Sequence, residues 1–94
     1  MAIRITAIRL SGGDDHEHIV RLWWVNPSSA SEEKNNSRAE IVAWIETTNG
    51  KAYVEDARGN RVDVGVVKPK YGEKYLRTHA DGIWTNNLLS LPRR

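Results

Sequence analysis

The chain contains no cysteine, and this single absence excludes disulfide staples, thiolate zinc sites, iron–sulfur clusters and cysteine nucleophiles. Phenylalanine is missing too, so four Trp and three Tyr carry all the aromatic content. Long hydrophobic runs are also lacking. The longest uninterrupted apolar stretch, Ile41 to Ile45, falls far short of the roughly 20 residues that cross a bilayer as a helix, and no membrane segment is predicted. Arg4 and Arg9 interrupt the first apolar positions and Asp14 follows, which is not the pattern of a secretory signal. The cytoplasm is the expected location.

What is present bounds the size and class of the fold. The 94 residues suit one domain, 1–94, with a modest core, since a chain of this length buries roughly 60 to 65% of the surface it exposes when unfolded. Large aromatics at this density mark an ordered globular chain. Charge is unevenly spread: residues 1–50 carry five Lys/Arg against seven Asp/Glu, and residues 51–94 carry nine against five. The second half is therefore basic, but its surplus is small beside that of dedicated nucleic-acid binders.

Periodicity predicts the elements. Ala2 to Leu10 begins with Ile3 and Ile5 on one face, then changes phase so that Ile8 and Leu10 are apolar, which predicts a bulged first strand. Gly12 to Asp15 signals a turn, and His18 to Val25 reads as a second strand in which Trp23 and Trp24 must point to opposite faces. Residues 26–36 are polar and without hydrophobic period, and read as a mobile connection. Ser37-Arg38-Ala39-Glu40 has the form of a capping box; the helix it opens places Ile41, Val42, Trp44 and Ile45 on an apolar stripe and stops at Asn49-Gly50.

Strands at Lys51 to Asp56 and Arg61 to Lys68 flank Arg58-Gly59-Asn60, and Lys74 to Ala80 and Ile83 to Thr85 flank the hairpin dipeptide Asp81-Gly82. The predicted fold is α+β: a mostly antiparallel sheet of five or six strands in the order ββαβββ, with one helix packed across it. Trp84 and the leucines Leu88, Leu89 and Leu91 are expected to close the core.

That last segment also carries a resemblance. Tyr75-Leu76-Arg77-Thr78, Asp81-Gly82, Asn87-Leu88 and Leu91-Pro92 together resemble the closing signature of the bacterial family of domains of unknown function numbered 3892. The resemblance implies a fold unit and lends no activity, cofactor or catalytic residue.

Candidate chemistry is sparse. Asp14, His16 and His18 would share one face if their segment were extended, offering a carboxylate and two imidazoles to Zn²⁺ or Ni²⁺; a solvated loop tip explains the same residues. His79-Ala80-Asp81 offers an imidazole beside a carboxylate, but no nucleophile elbow or phosphate-cradling glycine loop accompanies it. In the closing segment Asp81, Asn86 and Asn87 suit either an exposed polar site or the holding of turns.

Lys70, Lys74, Arg77 and His79, with nearby aromatics, are the candidate contacts for a partner or for nucleic acid. By elimination the expectation is a non-enzymatic binding or accessory module without cofactor. Its partner would be another protein, self-association included. Weak nucleic-acid binding through the basic half is the alternative.

Overall fold

The first strand sets the architecture because it changes its inward face midway. In the computed structural model, which describes residues 2–29, 32–80 and 82–94, β1 (Ala2–Leu10) pairs antiparallel with β2 (Ile19–Val25). Ile5 lies opposite Trp24 and Ala7 opposite Trp23, leaving Thr6 as an extra residue. This is the bulge that the phase change predicts. It lets Ile3 and Ile5 face the core before it and Ile8 after it, all three buried, where strict alternation would have turned Ile8 outward.

The described residues form a seven-stranded sheet in the order β3-β2-β1-β4-β5-β6-β7. The other strands are β3 (Lys34–Ser37), β4 (Lys51–Glu55), β5 (Arg61–Val67), β6 (Tyr75–Ala80) and β7 (Ile83–Thr85). Two antiparallel meanders meet at a parallel pair, Ala2 to Arg4 against Lys51 to Tyr53. The helix α1 (Arg38–Thr48) supplies the crossover that a parallel pairing needs. The predicted α+β class holds, while the strand count and the order ββαβββ do not: β3 lies inside the segment expected to be a connection. Lys34-Asn35-Asn36-Ser37 lacks any apolar alternation, and it is held as an edge by side chains. Arg21 donates to Asn35 Oδ1 at 2.6 Å, and the Trp24 indole N–H donates to Asn36 Oδ1 at 2.8 Å. Within the same predicted connection Pro27–Ser29 forms a 3-10 turn, and Ala30 and Ser31 lie outside the described residues.

The helix begins as its sequence dictates. Ser37 Oγ accepts from the Glu40 amide at 3.2 Å, and Glu40 Oε1 accepts from the Ser37 amide at 2.9 Å. Asn49 takes the left-handed conformation that ends the helix, with φ 55°. Gly50 serves a different purpose: a Cβ there would stand 2.5 Å from the Trp44 ring, so the missing side chain is what lets the indole lie across the helix end.

Ile41 and Val42 are buried against Ile3, Ile5, Ile19 and Leu22 on one flank and Val64 and Leu76 on the other. The two tryptophans of β2 separate as expected: Trp24 packs against this core, and Trp23 lies opposite Ala7 on the face away from it.

The C-terminal segment seals what β4 leaves open. β4 pairs with β1 only as far as Arg4, and beyond it the Ile8 amide donates to the Pro92 carbonyl at 3.0 Å while the Arg94 amide donates to the Ile8 carbonyl at 2.9 Å. Leu88, in the 3-10 turn Leu88–Ser90, is fully buried, with Leu89 and Leu91 packed beside it. Trp84 departs from the expectation: it stands on the outer face of β7 and is 42% exposed, so the leucines close the core without it. Leu88→Ala should accordingly cost about 3 kcal/mol through lost burial and the cavity left behind. Urea unfolding measures this, and a loss well below 1 kcal/mol would make the segment an appendage.

Candidate functional site

The β6–β7 hairpin and the turn after it hold four of the polar side chains that the sequence singles out, Arg77, His79, Asn86 and Asn87, and engage them internally. Leu76 and Thr78 point inward and are fully buried, so Tyr75, Arg77 and His79 point outward. A buried hydroxyl needs partners. Thr78 Oγ1 accepts from the Leu88 amide at 3.3 Å, donates to the Thr85 carbonyl at 3.2 Å, and lies 2.8 Å from Thr85 Oγ1. Thr85 Oγ1 in turn donates to Asn87 Oδ1 at 2.7 Å. On the other face Arg77 donates through Nε to the Thr85 carbonyl and through Nη2 to Asn86 Oδ1, both at 3.0 Å. Thr78, Thr85, Asn86, Asn87 and Arg77 therefore form a latch that fixes the closing segment. Of the two roles weighed for the asparagines, this geometry shows the structural one.

Outside the latch, the cross-strand ladder lines up one row on the helix-free face: Arg4, Tyr53, Asp63, His79 and Trp84, from β1 to β7. Its aromatic members differ in access. The Arg61 guanidinium stands 4.6 Å over the Tyr53 ring, which is buried. Further along the same face Arg9 and Arg94 both approach the Trp23 ring, at 5.1 and 5.5 Å. Arg94 is itself held by Glu33 at 2.6 Å, which accepts from the Thr6 hydroxyl at 2.6 Å.

Trp84 carries no such cover. Its ring lies over Gly65, where a Cβ would come within 3.3 Å of it, and beside His79 at 5.4 Å between centroids. Next to it Ile83 is 67% exposed. Two large apolar side chains thus stand open on the last strand of the sheet.

The basic candidates do not converge. Lys74 Nζ binds both oxygens of Glu46 on the helix, at 2.9 and 3.1 Å, and holds that carboxyl below its usual range. Lys70 stands over the Tyr71 ring at 5.7 Å. Arg77 is spent in the latch and His79 on Trp84. The exposure of Ile83 and Trp84 was not legible in the sequence, because apolar residues in a closing segment ordinarily read as core. The available signal was the length of β7, since a three-residue edge strand covers little.

The extended spacing considered for a metal at Asp14, His16 and His18 does not form. The three do not share a face of extended chain, because His16–His18 forms a 3-10 turn. Among the described residues no group of three metal-ligating side chains occurs. Asp81, the carboxylate of the His79-Ala80-Asp81 pairing and of the hairpin dipeptide, lies outside the described residues.

His16 is instead a buried imidazole whose Nε2 has no hydrogen-bond partner among the described residues. Burial, helped by the Arg77 charge and opposed by Asp15, lowers its pKa from the ordinary histidine value. A lowered folded value means that the unfolded chain takes up the proton first. The His16 contribution is then complete above about pH 6.5 and is lost as pH falls from there toward the depressed folded value. Unfolding free energy measured between neutral and mildly acidic pH should decline more steeply in the native protein than in His16→Leu. Equal slopes would contradict the assignment.

Compared with known proteins, the chain matches the model of one family, described as Protein of unknown function (DUF3892), over residues 4–92. Neither a curated protein nor a solved structure shows a match. The matched span runs from β1 through the latch to Pro92, so the expected resemblance extends to nearly every element of the fold, and the chain belongs to the DUF3892 family.

Proposed function

We propose that the protein is a non-catalytic interaction module that docks an extended segment of a partner protein along β7, with Ile83 and Trp84 as its apolar anchors. The observation that carries this reading is a contrast in aromatic cover: on the helix-free face Tyr53 and Trp23 lie under the protein's own arginines while Trp84 is exposed at the sheet edge, and Ile83, on the other face of the same edge strand, is exposed as well. An edge strand offers main-chain groups for strand addition, and a tryptophan buried at the centre of a contact commonly dominates its affinity. The strand behind it is rigid, since the latch fixes Thr85 and Gly65 supports the indole from beneath.

The nucleic-acid alternative draws less support. Arg4 and Arg61 both stand 3.9 Å from Glu55, Arg94 is paired with Glu33, Lys74 with Glu46, and Arg77 is engaged in the latch. Phosphate contacts would have to displace these partners, and base stacking on Tyr53 or Trp23 would have to displace arginines.

Selection from a displayed library of random peptides decides between the two readings. The expected outcome is extended peptides with micromolar affinity, about −8 kcal/mol, that lose at least about tenfold in Trp84→Ala and in Ile83→Lys, with little response to salt. Peptides indifferent to both substitutions would contradict the reading. So would a steeply salt-dependent oligonucleotide complex weakened by Arg77→Ala, which would favour the alternative.

A further inference from the structure

A second concave feature lies on the other side of the sheet, between the start of α1 and strands β1 to β3. It is a cleft of about 130 Å³ lined by Ile3, Trp24, Asn36, Glu40, Ile41 and Trp44. Its composition is specific: two indoles, two isoleucines, and a carboxylate with an amide at the polar end. We propose that this cleft binds a trimethylammonium group, with the Trp24 and Trp44 rings against the methyls and the Glu40 carboxylate opposite the charge.

Two observations carry the assignment, and neither depends on docking at β7. Both rings are held in place before any ligand arrives. Trp24 is pinned through its indole N–H to Asn36 Oδ1 at 2.8 Å, and Trp44 lies in the space left by Gly50, where a Cβ would stand 2.5 Å from its ring. Preorganised rings spare a ligand the cost of ordering them.

The carboxylate is ionised and oriented as well. Glu40 accepts from the Ser37 amide at 2.9 Å, and that bond, with the Ser37 and Asn36 side chains, holds its pKa below the usual range. Lys34 Nζ stands 5.7 Å from the Trp24 centroid, so a bound cation would compete with it for that ring, and Lys34→Gln should tighten the methylated cations while leaving the neutral alcohol unchanged.

The choice among cations follows from hydration and size. A primary ammonium keeps three strong donors that the cleft would have to satisfy, and its walls are mainly hydrocarbon. Trimethylation removes the donors and spreads the charge over methyl groups, which indole faces attract. Such a head is small enough for a cleft of this volume. It can come from a free small molecule or from a trimethylated lysine side chain, and the chemistry recognised is the same.

The test follows the indole N–H resonances of the native protein during titration. The probes are tetramethylammonium, choline, a dipeptide of trimethyllysine, the same dipeptide with unmodified lysine, and 3,3-dimethylbutanol as the uncharged counterpart of choline. The inference expects saturable shifts at Trp24 and Trp44 for the methylated cations. Affinity should be at least about tenfold weaker for lysine and for the neutral alcohol. Tighter binding of the dipeptide than of choline would indicate a protein source, and the reverse a free metabolite; either supports the cleft as the site.

Glu40→Gln keeps an acceptor for the Ser37 amide while removing the charge, and should weaken the cations about tenfold with little effect on the alcohol. Trp44→Leu should abolish binding; if that variant does not fold, Glu40→Gln and the alcohol decide alone. Equal affinity for alcohol and cation, shifts confined to Trp23 or Trp84, or no shift at saturating tetramethylammonium would each overturn the proposal.

Discussion

The fold depends on β1 finding a second neighbour at both of its ends, opposite β2, although that neighbour changes along the strand. β2 accompanies it from Arg4 to Leu10, with register shifts after Ile5 and after Arg9. On the opposite side β4 covers Ala2 to Arg4, and the Pro92–Arg94 segment takes over at Ile8. Unpaired backbone in a buried position costs about as much as a lost hydrogen bond, so a strand that outruns β4 requires this substitute. The bulge at Thr6 is the companion device, because it turns Ile8 into the core just where the new partner begins. The burial of Leu88 and the latch around Thr78 follow from bringing the chain back across the sheet to reach β1.

Closure of that kind determines which surfaces are left over. Arg77, Thr78 and Asn87 of the signature, together with Asn86, are consumed in holding the returning chain. Arginines occupy the aromatic faces toward the centre of the helix-free face. Among the surfaces left open are the outer strand with Ile83 and Trp84 and, beside the helix, the cleft between Trp24 and Trp44. The first is the edge proposed to take an extended chain. The second is the cleft proposed to take a compact cation. They lie in different parts of the molecule and are separable by mutation.

Much of the fold was legible because it rests on local chemistry. The phase change after Ile5 announced the bulge, Ser37 and Glu40 announced the helix start, and Asn49 its left-handed end. Elements held by side chains rather than by burial were not legible. β3 has no apolar residue, and its pairing rests on Arg21 and Trp24 reaching Asn35 and Asn36 from a neighbouring strand. The helical turn at His16 removed the spacing on which the metal reading relied. Trp84 misled because tryptophan is usually buried, and its exposure depends on which strand ends the sheet, a property of topology that no local pattern contains. The same holds for the cleft, whose walls come from β1, β2, β3 and α1 and meet only in the folded chain.

The measurement that reaches this account most directly is residue-resolved amide hydrogen exchange in the native state. If the C-terminal segment completes the pairing of β1, the Ile8 and Arg94 amides should exchange only through the same global opening as buried β1 amides such as that of Ile5, and respond to denaturant with the same slope. Rapid exchange at Ile8 and Arg94, with the rest of β1 protected, would mean that β1 is not sealed by the returning chain and that the latch serves some other purpose.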